Sequence, residues 1–283
     1  MLPTVSGKNG RVSTPERTRR GLSGKKTAAV VVVGVALLAW VVDSVAATRV
    51  EARISSAVED SAELDTSPDS YVGGQPYLLA LVTNEIPTMS VESLDISVEG
   101  LGIVNARTEL SGIDVTPRQV ISGDLAGAPA ELYKRVISLD GVAFGQLLGI
   151  TDLDISNPYD ISPGGGVASE ALLTGTPEGF SEPVSALVNL RLDGPVFHMT
   201  VRELVTVPEG REEDATEAFT YSMDTRHLPL SQQAAMVQMS GGSIMFETER
   251  QNITVELADL APLDTGDAGD PETAAWEQAE PDH

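Results

Sequence analysis

The sequence predicts an α+β, β-rich fold: a strand-dominated body with a few short helices, carried behind one N-terminal transmembrane helix. Three observations lead there. Residues 27–42 read TAAVVVVGVALLAWVV, with no charged side chain. From Ser93 onward, apolar residues recur at every second position in runs separated by Gly and Pro, the period of half-buried strands. Helical periodicity is confined to short pieces, around residues 50–58, 77–82 and 142–148.

Sixteen helical residues reach roughly 24 Å, and continuation through Ala47 gives about 31 Å, enough for a hydrocarbon core of about 30 Å. Ahead of the stretch stand Lys8, Arg11, Arg17, Arg19, Arg20, Lys25 and Lys26 against the single acid Glu16. An excess of cations marks the cytoplasmic end of a span, which sends the rest of the chain outward. A cleaved signal peptide is the alternative, since Val45-Ala46-Ala47 fits a small-residue cleavage site. The twenty-six-residue charged leader and Trp40, suited to a membrane interface, favour a retained anchor. The expected organisation is a basic disordered tail over 1–26, an anchor over 27–47, an exported body over 48–262 and an acidic disordered tail over 263–283.

Of 18 bases and 42 acids, 11 and 41 follow the leader, so the remainder carries a formal charge of −30. Such a surface repels nucleic acid phosphates, and nucleic acid is excluded as a partner. With no cysteine, neither a disulfide framework nor a thiol nucleophile exists. Stability must come from an apolar core, which a body of this length can build.

Val50, Ile54, Ala57 and Val58 form a helical stripe expected to pack on the body as a continuation of the anchor. Gly73-Gly74 licenses a turn, and Pro76 opens a short helix over 77–82 that Pro87 is expected to stop. Leu94, Ile96 and Val98 alternate as a strand, pairing through the Gly100/Gly102 turn with a strand over 106–115. Residues 136–139 read as a strand, followed by a helix with Asp140 as N-cap and Gly149 as its stop. Residues 157–166 read as a flexible loop without the spacing of a phosphate cradle. Three strands follow over 168–207, the last two joined by Asp193-Gly194, with Phe197, Met199 and Val201 on one face. An acidic loop over 208–215, a helical turn over 216–223 and one or two closing strands over 242–260 complete the body.

Catalytic chemistry is sparse, and no catalytic residue, metal site or cofactor is assigned. The three histidines, His198, His227 and His283, lie in no nucleophile or zinc motif. Asp152/Asp154 and Glu212/Glu213/Asp214 lack the spacing of a calcium loop. Asn252-Ile253-Thr254 matches a glycosylation sequon but falls in a strand pattern.

Gly74-Gln75-Pro76-Tyr77-Leu78, placed after an export helix and before strand hairpins, resembles the Gly-x-Pro-Phe-Leu element of the LmeA-type phospholipid-binding family of actinobacterial cell-envelope proteins. Residues 136–149, a strand then an aromatic and Leu-Leu, resemble its second block, and the likeness covers about 48–260. Tyr77 stands where Phe is usual, and Ala80-Leu-Val-Thr-Asn-Glu85 where Gln followed by Gly is common. The resemblance implies an elongated body around an apolar cavity, likened to tubular lipid-binding proteins, and a membrane-anchored envelope protein that binds phospholipid or a lipid-linked intermediate. It implies no catalysis. The apolar site is expected at Pro76, Tyr77, Leu78, Leu81, Phe144 and Leu147, with the adjacent cations Lys134 and Arg135 as candidates for the headgroup. The alternative is an exported adhesion or scaffold β-domain whose core is filled by its own side chains.

Overall fold

Every backbone amide of an apolar segment must find a partner inside that segment if it is to enter lipid, and a helix is how one chain achieves this. The first element meets that demand. In the computed structural model, which describes residues 24–62, 67–74, 76–158 and 166–264, helix α1 runs over Gly24–Ala62. The chain divides into two compact units, Met1–Val42 and Asp43–His283. In the first, Val30, Val33, Leu37 and Trp40 expose their side chains, and the helix is long and apolar enough to cross a membrane. Residues 1–23 of the expected basic tail lie outside the described residues.

The second unit begins with the rest of α1, whose Val50, Ile54 and Val58 are buried. Each step of four residues turns the face by about 40°, so the buried line drifts around the helix. Ala57, expected on that line, is exposed at its trailing edge.

Two antiparallel sheets form the body. In the first, β1 (Asp69–Val72), β2 (Glu85–Val98), β3 (Gly102–Asp114), β4 (Pro129–Asp140), β11 (Ser243–Thr254) and β10 (Met236–Ser240) lie in that order. The second places β5 (Asp154–Ser156), β6 (Ala168–Gly175), β7 (Val184–Asp193), β8 (Val196–Thr206) and β9 (Tyr221–Asp224) in chain order. Short helices punctuate them: α2 (Ala80–Thr83), α3 (Pro117–Ser122), α4 (Gly141–Leu148), α5 (Glu212–Ala218) and α6 (Leu257–Leu260). The β-rich expectation holds, as does the Asp193-Gly194 hairpin, where Gly194 takes a φ of 58°. Helix α4 starts on the Asp140 carboxylate, which accepts from the amides of Val142 and Ala143. It stops at left-handed Gly149.

Several local expectations are corrected. The strand read from Leu94, Ile96 and Val98 is the far end of a longer one whose buried residues are Ile86, Met89, Val91 and Ser93. A bulge between Ser93 and Ile96, with Asp95 at φ 57° and its amide donating to Asn105 Oδ1, resets the alternation and leaves Leu94 exposed. Pro87 lies inside β2; the ladder passes from Ile86–Ile113 to Thr88–Ser111, skipping Pro87 and Gly112, whose φ is 60°. The preceding helix ends instead at left-handed Asn84. Thr116-Pro117-x-Gln119 forms a capping box that starts α3 where only a strand end was expected. Residues 212–218 are helix and 221–224 strand, shifting the expected loop and turn toward the N-terminus. Leu257 belongs to α6 and is exposed, while Val255 is buried. Leu263 is buried and the Asp264 amide donates to Pro229 O, so the body runs past 262. The expected loop at 157–166 lies mostly outside the described residues, as does the acidic tail from 265.

Apolar side chains of the body gather into two clusters. One joins α1, the β1–β3 region, α3 and α6 around Val58, Tyr77, Ile113 and Tyr133. The other lies between the sheets, with Phe144, Phe197, Phe219 and Phe246 fully buried. Strands β3 and β4 are long enough to serve both.

Candidate functional site

The element that carries the family resemblance is built on two glycines at close quarters. The Gly73 amide donates to Thr88 O at 2.8 Å, and a Cβ there would meet Thr88 Cγ2 at 2.4 Å. Gly74 adopts a φ of +96°, and its Cβ would lie 2.8 Å from Pro87 Cδ. The turn after β1 can thus lie against β2 only without side chains. Pro76 follows in extended geometry, then one 3₁₀ turn over Tyr77–Leu79 leads into α2.

What fixes this turn is Asp43, the first residue after the apolar stretch. Its buried carboxylate accepts from the Tyr77 amide at 3.0 Å and the Leu78 amide at 2.7 Å, satisfying donors that a helix start leaves bare. Anionic acceptors make such bonds about twice as strong as neutral ones. Tyr77 is 3 % exposed, and its hydroxyl donates to Val120 O at 2.6 Å, which joins the turn to α3. Arg53 of α1 donates to the next two carbonyls of α3, those of Ile121 and Ser122.

A cleft of about 190 Å³ opens beside this turn, lined among others by Gly73, Gly74, Pro76, Tyr77, Ile86 and Pro87. Leu78 and Leu81 are half-buried and pack on the α1 cluster. The other two expected apolar residues are elsewhere: Phe144 is fully buried in the inter-sheet cluster, and Leu147 packs against that cluster. Phe144 meets the rings of Phe197 and Tyr221 edge-on, with centroids 6.3 and 6.1 Å apart. The six residues therefore fall into two groups rather than lining one wall.

Lys134 and Arg135, neighbours on β4, point to opposite faces of the sheet. Lys134 Nζ lies 3.0 Å from Glu247 Oε1 and 3.9 Å from Glu249. Arg135 is buried; it donates to Thr108 Oγ1 and to the carbonyls of Ala258 and Ala261, with Asp264 at 3.9 Å. Both cations are already engaged within the body. His198 shares a hydrogen bond with Ser222 across the edge of the second sheet. Asp152 caps Thr176 through its amide and hydroxyl, which lowers the carboxyl pKa. Among the described residues no cluster of three or more metal-ligating side chains occurs.

Burial pushes the Tyr77 pKa up to about 12 and raises those of Tyr133 and Tyr221. A raised pKa in the folded state stabilises the fold below the ordinary tyrosine value of 10.0 and loses that contribution as pH climbs through the folded value. The body is therefore expected to lose stability between pH 10 and about 12. Tyr77→Phe removes one ionising group, so its denaturant midpoint should fall less steeply over that window; an unchanged slope contradicts the assignment.

Asp43 was absent from the expected site, although a lone acid closing an uncharged stretch is a visible signal. Capping of a turn thirty-four residues away is not.

An apolar N-terminal helix, consistent with a single-pass membrane anchor, precedes a β-rich antiparallel body. The chain belongs to the LmeA-like phospholipid-binding family, whose pattern it matches over residues 41–249, taking in Asp43 and the whole Gly73–Pro87 cleft. No curated protein and no solved structure matches the chain.

Proposed function

We propose that this chain is a membrane-anchored cell-envelope protein whose exported body binds a phospholipid, or a lipid-linked intermediate, through apolar contacts beside the Pro76–Tyr77–Leu78 turn. The observation that carries the reading is the convergence of family membership and geometry. The element that resembles the family motif is also a rigid turn, held by Asp43 and Val120, with an open cleft at its side. Burial of acyl chain contributes about 0.8 kcal/mol per CH₂, so the apolar part of the ligand dominates the affinity. At about 190 Å³ the cleft is smaller than the roughly 300–1,000 Å³ of ordinary ligand pockets, so in this reading it is the entrance and widens when acyl chain enters. An elongated lipid-holding body, with Leu81, Phe144 and Leu147 reached only when the packed clusters part, belongs to the same proposal. So does a headgroup role for Lys134 and Arg135, which would have to leave Glu247 and the α6 carbonyls. A function in maintaining envelope lipid or lipoglycan follows from this reading.

Lipid co-purifying with the folded body should fall when Tyr77→Asp places a charge in the cleft wall. Undiminished lipid with the fold intact by circular dichroism would remove the turn from the site. The proposed orientation has the N-terminus in the cytoplasm, from the seven cations ahead of the span. A reporter active only in the cytosol, fused after Leu260, should then be silent; activity there would reverse the topology.

A second reading, an adhesion or scaffold domain without a lipid cavity, is favoured by one observation. Both clusters are filled by their own side chains, with four phenylalanines fully buried between the sheets. Absence of any bound lipid in a gently isolated body would support it.

A further inference from the structure

Eleven bases follow the apolar stretch, in a body of 41 acids. Seven of them have a carboxylate within 4 Å: Arg107, Lys134, Arg135, Arg202, Arg211, Arg226 and Arg250. Among the described residues the other four have none. Three of these four, Arg49, Arg53 and Arg118, belong to α1 and α3, which Arg53 ties together through the carbonyls of Ile121 and Ser122. Arg49 stands one turn before Arg53 on the same side of α1. A body this acidic would be expected to neutralise its cations, so three without acids in one place require an explanation.

The same place exposes apolar side chains. Leu79 is 49 % exposed, Val82 of α2 77 % and Ile121 of α3 68 %. Helices α2 and α3 pack together, joined by the Tyr77 hydroxyl on Val120 O and the Val115 amide on Asn84 O. The position of this surface along the chain is fixed by covalent and hydrogen-bond connectivity. Asp43 is one peptide bond from Val42, and Tyr77 and Leu78 are one hydrogen bond from Asp43. Whatever angle the apolar stretch takes, the turn that carries Leu79 and Val82 lies where the chain leaves that stretch.

We infer that Leu79, Val82 and Ile121, rimmed by Arg49, Arg53 and Arg118, form a seat for the anionic phospholipid surface of the membrane that holds the chain's own apolar helix. Apolar side chains with cations at their margin are the chemistry of interfacial association. The nearby acids Glu85 and Asp114, opposite each other at the ends of β2 and β3, keep the seating shallow. The seat rests on reading residues 27–42 as a span and is independent of any lipid held inside the body.

The absence of cysteine allows a single reporter thiol to be placed at will. Full-length chain carrying Val82→Cys, Ile121→Cys or, as a control on the second sheet, the exposed Val205→Cys is labelled with an environment-sensitive dye. It is reconstituted into vesicles of phosphatidylglycerol and phosphatidylcholine in equal parts, with brominated acyl chains as quencher. Val82 and Ile121 dyes should be quenched and blue-shifted, and the Val205 dye should not. Replacing Arg49 and Arg118 by Gln should lower the ratio of seated to unseated chains about five-fold per arginine, since each cation near an anionic surface contributes about 1 kcal/mol. Flotation of the chain with the vesicles reads the span separately. A chain that floats but shows no more quenching at Val82 and Ile121 than at Val205 overturns the seat and leaves the span standing. Dye that is shielded without quenching also overturns it, in favour of a protein partner or a second copy. Quenching unaffected by the arginine changes overturns the charged rim.

Discussion

Replacing Phe144 by alanine is expected to destabilise the body by about 3–5 kcal/mol, the range for removing a fully buried aromatic side chain. Its ring is completely enclosed between the sheets, in edge-on contact with Phe197 and Tyr221, and Phe197 in turn meets Phe246 at 5.0 Å. Neighbours tied into an antiparallel sheet collapse poorly into the space left behind, so the cavity adds to the lost transfer energy. Denaturant unfolding of residues 43–283, followed by circular dichroism, reads the effect. A change under about 1 kcal/mol with loss of bound lipid would instead make Phe144 part of a ligand wall.

Arg135→Met should also be costly. Its guanidinium bonds Thr108 Oγ1 and the carbonyls of Ala258 and Ala261 inside the body, and each buried acceptor left bare costs about 1–3 kcal/mol. Ala261 O keeps the Thr108 hydroxyl, which moderates the loss. Burial lowers the Arg135 pKa, and a guanidinium keeps its proton in proteins, so the buried bonds are those of a cation. Because the bonded carbonyls lie in and just after α6, the change should loosen the closing segment first, seen as faster amide exchange at Leu260 and Leu263. Lys134→Met should be costly as well, because it takes the cation from Glu247, whose carboxylate is buried on the other face of the sheet. If Arg135→Met leaves stability intact while weakening only anionic lipid binding, a headgroup role replaces the structural one.

These two residues mark where local pattern ended. Sequence could identify Lys134-Arg135 as an adjacent basic pair, but alternation in a strand sends neighbours to opposite faces, and only the pairing with β3 and β11 decides which face is buried. Phe144 was readable as the apolar face of a short helix capped by Asp140; which cluster that face enters depends on β8 and β9, over fifty residues later. Features encoded within a few residues were legible: the apolar stretch, the α1 stripe, the Gly-x-Pro turn, the Asp193-Gly194 hairpin and the Asp140 cap. The bulge at Asp95 was not, because its cause is Asn105 on the neighbouring strand. Asp43 was missed for the same reason, its partners being amides at 77 and 78.

Phospholipid binding by the exported body is the central claim, and native mass spectrometry tests it most directly. Residues 43–283, one compact unit, are to be exported behind a cleavable signal, purified without detergent and sprayed under gentle conditions. The expected spectrum contains a species heavier by one phospholipid, reduced in Tyr77→Asp. A folded body seen only at its own polypeptide mass would contradict the account.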